Sequence, residues 1–305
     1  MSHDRLSSTT PFRPLRAALL ANLIFSLASA LTFVFGAEAI SAHFVMVPVW
    51  LIESLGLALF GFAALIGFVL ARMRLGWAFL ISVLDIGWVV GTVALTLVPD
   101  LFSEAGRLAT FAVAGFVMLF GVLQLFGIRF AMKDHAAGPG HYRHCLRVRA
   151  SSDADALWRV VSDLGSIVDH SEGLSASKMQ SDGTIGLGSV RRCTDHQGQS
   201  WAEEVADWNP DGRSLLLTFG TQEPDFPFPF TSMTGGWKVS QAADGSLVDI
   251  WWSVLPKSPA LGWLIVVLMS VTLDRDVAKI VARMDAKAMN RPLEIVGRNI
   301  RLSYC

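Results

Sequence analysis

Four long apolar stretches fill the first 130 residues, and they decide the class of structure before any other feature. Leu15–Gly36, Met46–Ala71, Leu75–Val98 and Arg107–Phe130 are each long enough to cross a hydrocarbon layer about 30 Å thick, which takes about 20 helical residues. Lipid offers no partner to backbone polar groups, so such stretches cross as helices rather than as open strands or loops. Charged residues make up 17% of the 305-residue chain, against about 25% in an ordinary soluble domain, and the deficit lies before Lys133. The formal net charge of -1 provides no electrostatic footprint for a nucleic acid.

Basic residues orient the four spans. Arg5, Arg13 and Arg16 precede the first, Arg72 and Arg74 sit between the second and third, and Arg129 and Lys133 follow the fourth, whereas the opposite side holds only Arg107. Positive charge stays inside, so both termini and everything after the fourth span are predicted to be cytoplasmic. The spans also carry polar residues: Asn22, Ser26, Glu53, Asp85 and Gln124. A carboxylate at mid-membrane costs about 2.5–3.5 kcal/mol on insertion scales and normally turns inward to a partner. Asn22, Asp85 and Gln124 fall at similar depth and are predicted to meet in one hydrogen-bonded cluster, with Trp88 one turn from Asp85; Glu53 lies nearer the outer face. Two readings of the cluster stand side by side, interhelical glue and a proton, ion or quinone site. Cys145, Cys193 and Cys305 lack metal-ligand spacing, and an odd, sparse set points to a reducing compartment rather than a disulfide framework.

Residues 133–142, KDHAAGPGHY, read as a turn or flexible joint that marks the domain boundary. Beyond it the pattern turns to strand, helix, six strands and a long helix. His144–Arg149 alternates. Ser151-Ser152-Asp153 is an N-cap cluster for Ala154–Leu164, which places Leu157, Val160, Val161 and Leu164 on one face. Strands are predicted at Leu174–Gln180, Ser189–Thr194, Ser200–Trp208, Ser214–Phe219, Gly236–Gln241 and Leu247–Leu255, separated by turn signals such as Asn209-Pro210-Asp211-Gly212 and Ala243-Asp244-Gly245. Pro259–Met289 is helical in period. The domains expected are a four-helix membrane domain at 1–132, the joint at 133–142, a soluble domain at 143–290 and a tail at 291–305.

Several local patterns in the soluble half resemble the START-like or SRPBCC superfamily, the polyketide cyclase/dehydrase and lipid-transport group. Trp158-Arg-Val-Val-Ser-Asp-Leu-Gly165 is similar to its first helix, and Gly186-Leu-Gly-Ser-Val-Arg-Arg-Cys193 to its Gly-x-Gly-x-x-Arg strand entry. Trp201-Ala-Glu-Glu-Val-Ala-Asp-Trp-Asn-Pro210 resembles its Glu-x-Val-x-x-Trp-x-Pro strand and turn, and Val248-Asp-Ile-Trp-Trp252 its final hairpin. The chain departs from the pattern at His170, near where many members carry a Trp. The resemblance implies an α+β helix-grip domain, a curved antiparallel sheet around a long C-terminal helix, following an all-α four-helix transmembrane bundle.

A helix-grip fold implies a lipophilic pocket, for which the strand faces nominate Trp201, Glu203, Leu217, Val248, Ile250 and Trp252. Glu203 alternates with Trp201 and Val205, so it points inward and is the one candidate acid/base; a second polar group facing it is what an enzyme would require. The expected function is binding, sensing or carrying a membrane lipid or other hydrophobic small molecule. The alternatives are a cyclase/dehydrase-like enzyme acting on a lipophilic substrate and a membrane redox or transport module centred on Asp85. Gly183, Gly186 and Gly188 open no helix and read as turn residues. Asp195-His196 is a hairpin tip, Cys193 lacks an activating motif, and the His141/His144 pair has no further ligand beside it, so no cofactor or metal is expected. Nothing in the sequence specifies an oligomeric state. Finally, Pro259–Leu273 is greasier than one buried stripe requires. With Phe226, Phe228 and Phe230 it is expected to flank the pocket mouth at the inner leaflet, Trp263 serving as anchor.

Overall fold

The computed structural model describes residues 11–44, 47–292 and 302–305; Arg5 and the expected start of the second span at Met46 lie outside the described residues. Two compact units divide between Ala131 and Met132.

In the first unit four helices are long and apolar enough to cross a membrane: α1 (Arg13–Phe35), α3 (Val49–Arg72), α4 (Leu75–Thr96) and α5 (Glu104–Ala131), with a short α2 (Ala37–Ser41) after the first. Their limits have local causes. Pro14 occupies the first turn of α1, where a missing N–H costs nothing. Pro48 precedes α3, and Met73 ends that helix in the left-handed conformation at φ 42°. Most of the apolar surface faces outward, as a lipid solvent requires, including Ile24, Phe35, Leu57, Val90 and Leu108. Contact between helices relies on small residues. A Cβ on Gly127 would come within 2.8 Å of the Leu15 backbone, and one on Gly56 would collide with Val34. α1 packs on α3 and α5, and α4 packs on α5.

The second unit is an eight-stranded antiparallel sheet in the order β2-β3-β4-β5-β6-β7-β1-β8. Its strands are β1 (Tyr142–Ala150), β2 (Leu174–Met179), β3 (Val190–Asp195), β4 (Ser200–Asn209), β5 (Ser214–Phe219), β6 (Phe230–Ala242), β7 (Gly245–Pro256) and β8 (Leu302–Tyr304). Between β1 and β2 come α6 (Ala154–Val161), a 3-10 turn at Leu164–Ser166 and the one-turn α7 (Ile167–His170). The long α8 (Gly262–Ala288) packs on β1, β7, α6 and α7. This is a helix-grip arrangement. Asp153 caps α6 by accepting from the Ala156 N–H at 2.9 Å, and Asp285 of α8 accepts from the backbone N–H groups of Ser151 and Ser152 at 3.0 and 2.8 Å. Gly245 opens β7 at φ 105°, where a Cβ would lie 2.3 Å from the Ala150 carbonyl oxygen. The core is the side of the sheet turned to α8, with Leu146, Val148, Leu215, Leu217, Val248 and Ile250 against Val267, Val277, Val281 and Met284.

One pair of alternatives is decided, and two expectations need correction. Of the two readings of 133–142 the structure shows the turn: the Asp134 carboxylate accepts from the N–H groups of Ala136 and Ala137, the Asp134 N–H donates to the His141 carbonyl, and Lys133 bridges to Tyr142. Glycine and proline set its shape, with Gly138 and Gly140 at positive φ. The expected tail contains β8, which pairs with β1 through Leu146–Tyr304, Arg147–Ser303 and Val148–Leu302. Cys145 and Cys305 form a disulfide rather than remaining free thiols. The two residues are 160 apart in sequence, and only the pairing of β8 with β1 brings them together.

Candidate functional site

Strand register assembles the site. Arg191 pairs with Glu203 and Cys193 with Trp201 across β3 and β4. The same side of the sheet continues through Glu203–Phe219 and Val205–Leu217, then Leu217–Gly235, and on through Gly235–Trp252, Trp237–Ile250 and Val239–Val248 to Ile250–Leu146. Residues directly opposite one another project to the same side, so Trp201, Glu203, Leu217, Val248, Ile250 and Trp252 share the face turned to α8. Leu217, Val248 and Ile250 are fully buried, Trp201 and Glu203 nearly so, and Trp252 is half-buried. Gly235 leaves room for Phe219 and Trp252 to lean over the sheet, since a Cβ there would sit 3.1 Å and 3.4 Å from their rings.

Glu203 is fully engaged. Its Oε2 accepts from Arg191 Nε at 2.9 Å and Nη2 at 2.5 Å, and its Oε1 accepts from Trp201 Nε1 at 2.8 Å. Arg191 uses its remaining Nη1 to donate to the Leu164 carbonyl at 2.9 Å, which fastens the 3-10 turn leading into α7. Arg191 therefore is a second polar group facing Glu203, but the two satisfy one another, and both side chains are over nine-tenths buried. Alternation along β3 places Arg191 on the same side as Cys193; this was the available signal for a residue the sequence reading did not nominate. Burial, reinforced by Glu203, pushes the Cys193 thiol up to about 12, so it remains protonated and is no nucleophile.

A second polar group on that face also escaped sequence reading. His144 Nε2 lies 2.9 Å from Asp274 Oδ1 of α8, and Tyr304 Oη donates to Asp274 Oδ2 at 2.7 Å. Among the described residues no cluster of three His, Cys, Asp or Glu is placed to hold a metal. The segments expected at a membrane-facing mouth behave differently from one another. Phe226 and Phe230 are buried, and Phe228 stands 5.9 Å from Trp201 in an edge-on contact, so the aromatic loop closes on the domain itself. At the start of α8, Leu261, Leu268 and Val271 are exposed while Trp263 is half-buried.

The polar residues of the first unit meet where α1, α4 and α5 converge. Asp85 Oδ2 accepts from Asn22 Nδ2 at 2.8 Å and from Gln124 Nε2 at 3.1 Å. Ser26 donates to Asn22 and Ser82 to Gln124, and all five side chains are buried. Glu53 is exposed on α3 and takes no part. Asp85→Leu removes the shared acceptor and strands two amide groups. Interhelical hydrogen bonds in membranes are worth about 0.6 kcal/mol each and at most about 1.7, so a loss of roughly 1–3 kcal/mol is expected in thermal unfolding of the detergent-solubilised chain; an unchanged transition would show that the cluster holds nothing together.

No curated protein matches the sequence. Among solved structures, the Zhui aromatase/cyclase from Streptomyces sp. R1128 is 14% identical with a TM-score of 0.38, the match covering 49% of this chain and 93% of that one. A norcoclaurine synthase point mutant from Thalictrum flavum, in complex with a transition-state analogue, is 16% identical with a TM-score of 0.38, covering 49% and 94%. XoxI from Bacillus cereus is 14% identical with a TM-score of 0.36, covering 50% and 96%. Residues 147–289, the helix-grip part of the chain, match the family described as polyketide cyclase / dehydrase and lipid transport.

Proposed function

We propose that this protein binds or carries a hydrophobic small molecule or lipid in its helix-grip unit, which four spanning helices tether to a membrane. The observation behind this reading is the face of the sheet turned to α8: mostly apolar, and broken by two polar pairs already satisfied within themselves, Arg191 with Glu203 at the β3–β4 end and His144 of β1 with Asp274. Ligand sites of this kind are mostly apolar with a few placed polar groups. The enzymatic alternative has one point in its favour, the Arg191 guanidinium opposite Glu203. Both oxygens of Glu203, however, are already engaged by Arg191 and Trp201, which leaves neither free to meet a substrate. Mass spectrometry of lipids extracted from the purified full-length chain tests the proposal. A discrete species retained near one per chain is expected, and an extract that matches the bulk membrane in composition would defeat it.

The cytoplasmic placement of the helix-grip unit is part of the same proposal. Arg13, Arg16, Arg72, Arg74, Arg129 and Lys133 support it. The Cys145–Cys305 disulfide argues for the other side, since disulfides persist mainly in oxidising compartments. Reporter fusions at Thr9 and Ser303 should both read as cytoplasmic; an exported signal at Ser303 would reverse the assignment.

A further inference from the structure

His170 closes α7 and is 3% exposed, yet neither of its ring nitrogens has a hydrogen-bond partner. Buried polar atoms are normally paired, and an orphan carries the full cost of its desolvation. Other buried orphans exist among the described residues, but each is a single atom: His141 Nδ1 and the hydroxyls of Ser246 and Ser253. His170 leaves an entire imidazole unanswered. Its backbone is firmly held. The His170 carbonyl accepts from Arg283 Nη1 of α8 at 3.2 Å, α7 packs on β2 and α8, and Arg191 grips the turn immediately before it through the Leu164 carbonyl. A buried ring on a firmly held backbone, with neither nitrogen answered by the chain, is suited to a group the chain itself does not supply.

The surroundings define that group. Burial, with the Lys287 ammonium nearby, holds the His170 pKa below the ordinary histidine value. The ring is thus neutral at pH 7 and presents one donor and one acceptor. The cations acting on the ring are already matched, Lys287 with Asp169 and Arg283 with Glu172, whereas the Asp163 carboxylate, which also acts on it, has no ion pair among the described residues. An anionic ligand would find no free cation among these groups, whereas a hydroxyl can serve either nitrogen because it both donates and accepts.

We propose that His170 is the polar contact of the bound ligand, and that the ligand is an uncharged lipophile bearing an alcohol or phenol. This rests on the hydrophobic-ligand reading of the helix-grip unit and adds to it the residue and the functional group. A set of related probes, 1-butylpyrene, 1-pyrenebutanol and 1-pyrenebutyric acid, separates the two. Binding to the full-length chain in detergent is read by energy transfer from tryptophan, and the His170 ring is read by 15N NMR of histidine-labelled protein, its signal assigned as the one absent in His170→Gln. One hydrogen bond to a buried group corresponds to about ten-fold in affinity. The wild-type protein should therefore bind the alcohol about ten-fold tighter than the hydrocarbon, and only the alcohol should shift the His170 nitrogens. His170→Phe should bind both equally. If the probes bind but the alcohol gains nothing, or the acid binds best, or the His170 signals stay fixed in the wild-type protein, the assignment of His170 is overturned while the hydrophobic-ligand reading stands. If none of the probes binds, both fall together.

Discussion

Glu203→Gln in the full-length chain is expected to destabilise the helix-grip unit by about 3–5 kcal/mol, because breaking one side of a buried ion pair leaves the other charge uncompensated. At roughly 2–4 °C per kcal/mol for a domain of this size, the melting temperature should fall by about 6–20 °C. The side chains of Arg191 and Glu203 are 7% and 5% exposed, so water cannot rescue the stranded guanidinium. The Leu164 carbonyl would also lose a firmly placed donor, loosening the turn before α7. Replacing both partners, as in Arg191→Met with Glu203→Leu, should recover most of the loss, since apolar substitutes for a buried pair are often neutral or stabilising. This pattern separates a structural pair from a catalytic one. A catalytic Glu203 predicts an unmoved melting transition in the single variant, and that result would remove the structural account.

Reduction of the Cys145–Cys305 disulfide should have the next largest effect. It closes a loop spanning nearly the whole unit, the two cysteines lying 160 positions apart, and such links typically contribute about 2–4 kcal/mol, chiefly by restricting the unfolded chain. Cys305→Ser and dithiothreitol treatment are each expected to lower the melting temperature of the unit, and they should not add to one another. Two hydrogen-bonded ties would remain at the same place, the short β8 ladder and the Tyr304–Asp274 contact, so the reduced protein should still fold. Equal melting with and without reductant would mean that the link does not constrain the chain.

The sequence made some features legible and hid others, and the division follows from the range of the physics involved. The spans were readable because about 20 unbroken apolar residues are a local property, and their limits agree with the helices to within about three residues at the described ends. The strands from β2 to β5 were readable from alternation between strong turn signals. β6 begins at Phe230 rather than Gly236, because Ser232 and Thr234 weaken the alternation and the preceding prolines suggest a loop. Glu203 and its strand neighbours could be assigned to one side from period 2 alone. Arg191 was not recognised as the partner of Glu203, because the four residues between β3 and β4 are compatible with more than one register and the pairing is set only by the folded hairpin. The same holds for His144 with Asp274, which are 130 residues apart, and for β8, where three residues with no flanking pattern become a strand only because β1 lies waiting. His170 was visible only as a departure from the family pattern; that it lacks any partner is a fact of packing.

β8 also bears on how the soluble half can be handled. A fragment cut at Asn290 retains all of α8 and appears complete by the usual boundaries of a helix-grip domain. It would nevertheless strip the cover from one side of β1, leaving backbone N–H and C=O groups of Leu146 to Val148 unpaired along an open strand edge. Such an edge is a template for another chain, and two fragments meeting there would continue the sheet across a dimer or into larger aggregates. Residues 302–305, few as they are, cover that edge, so a preparation of this unit should extend through Cys305.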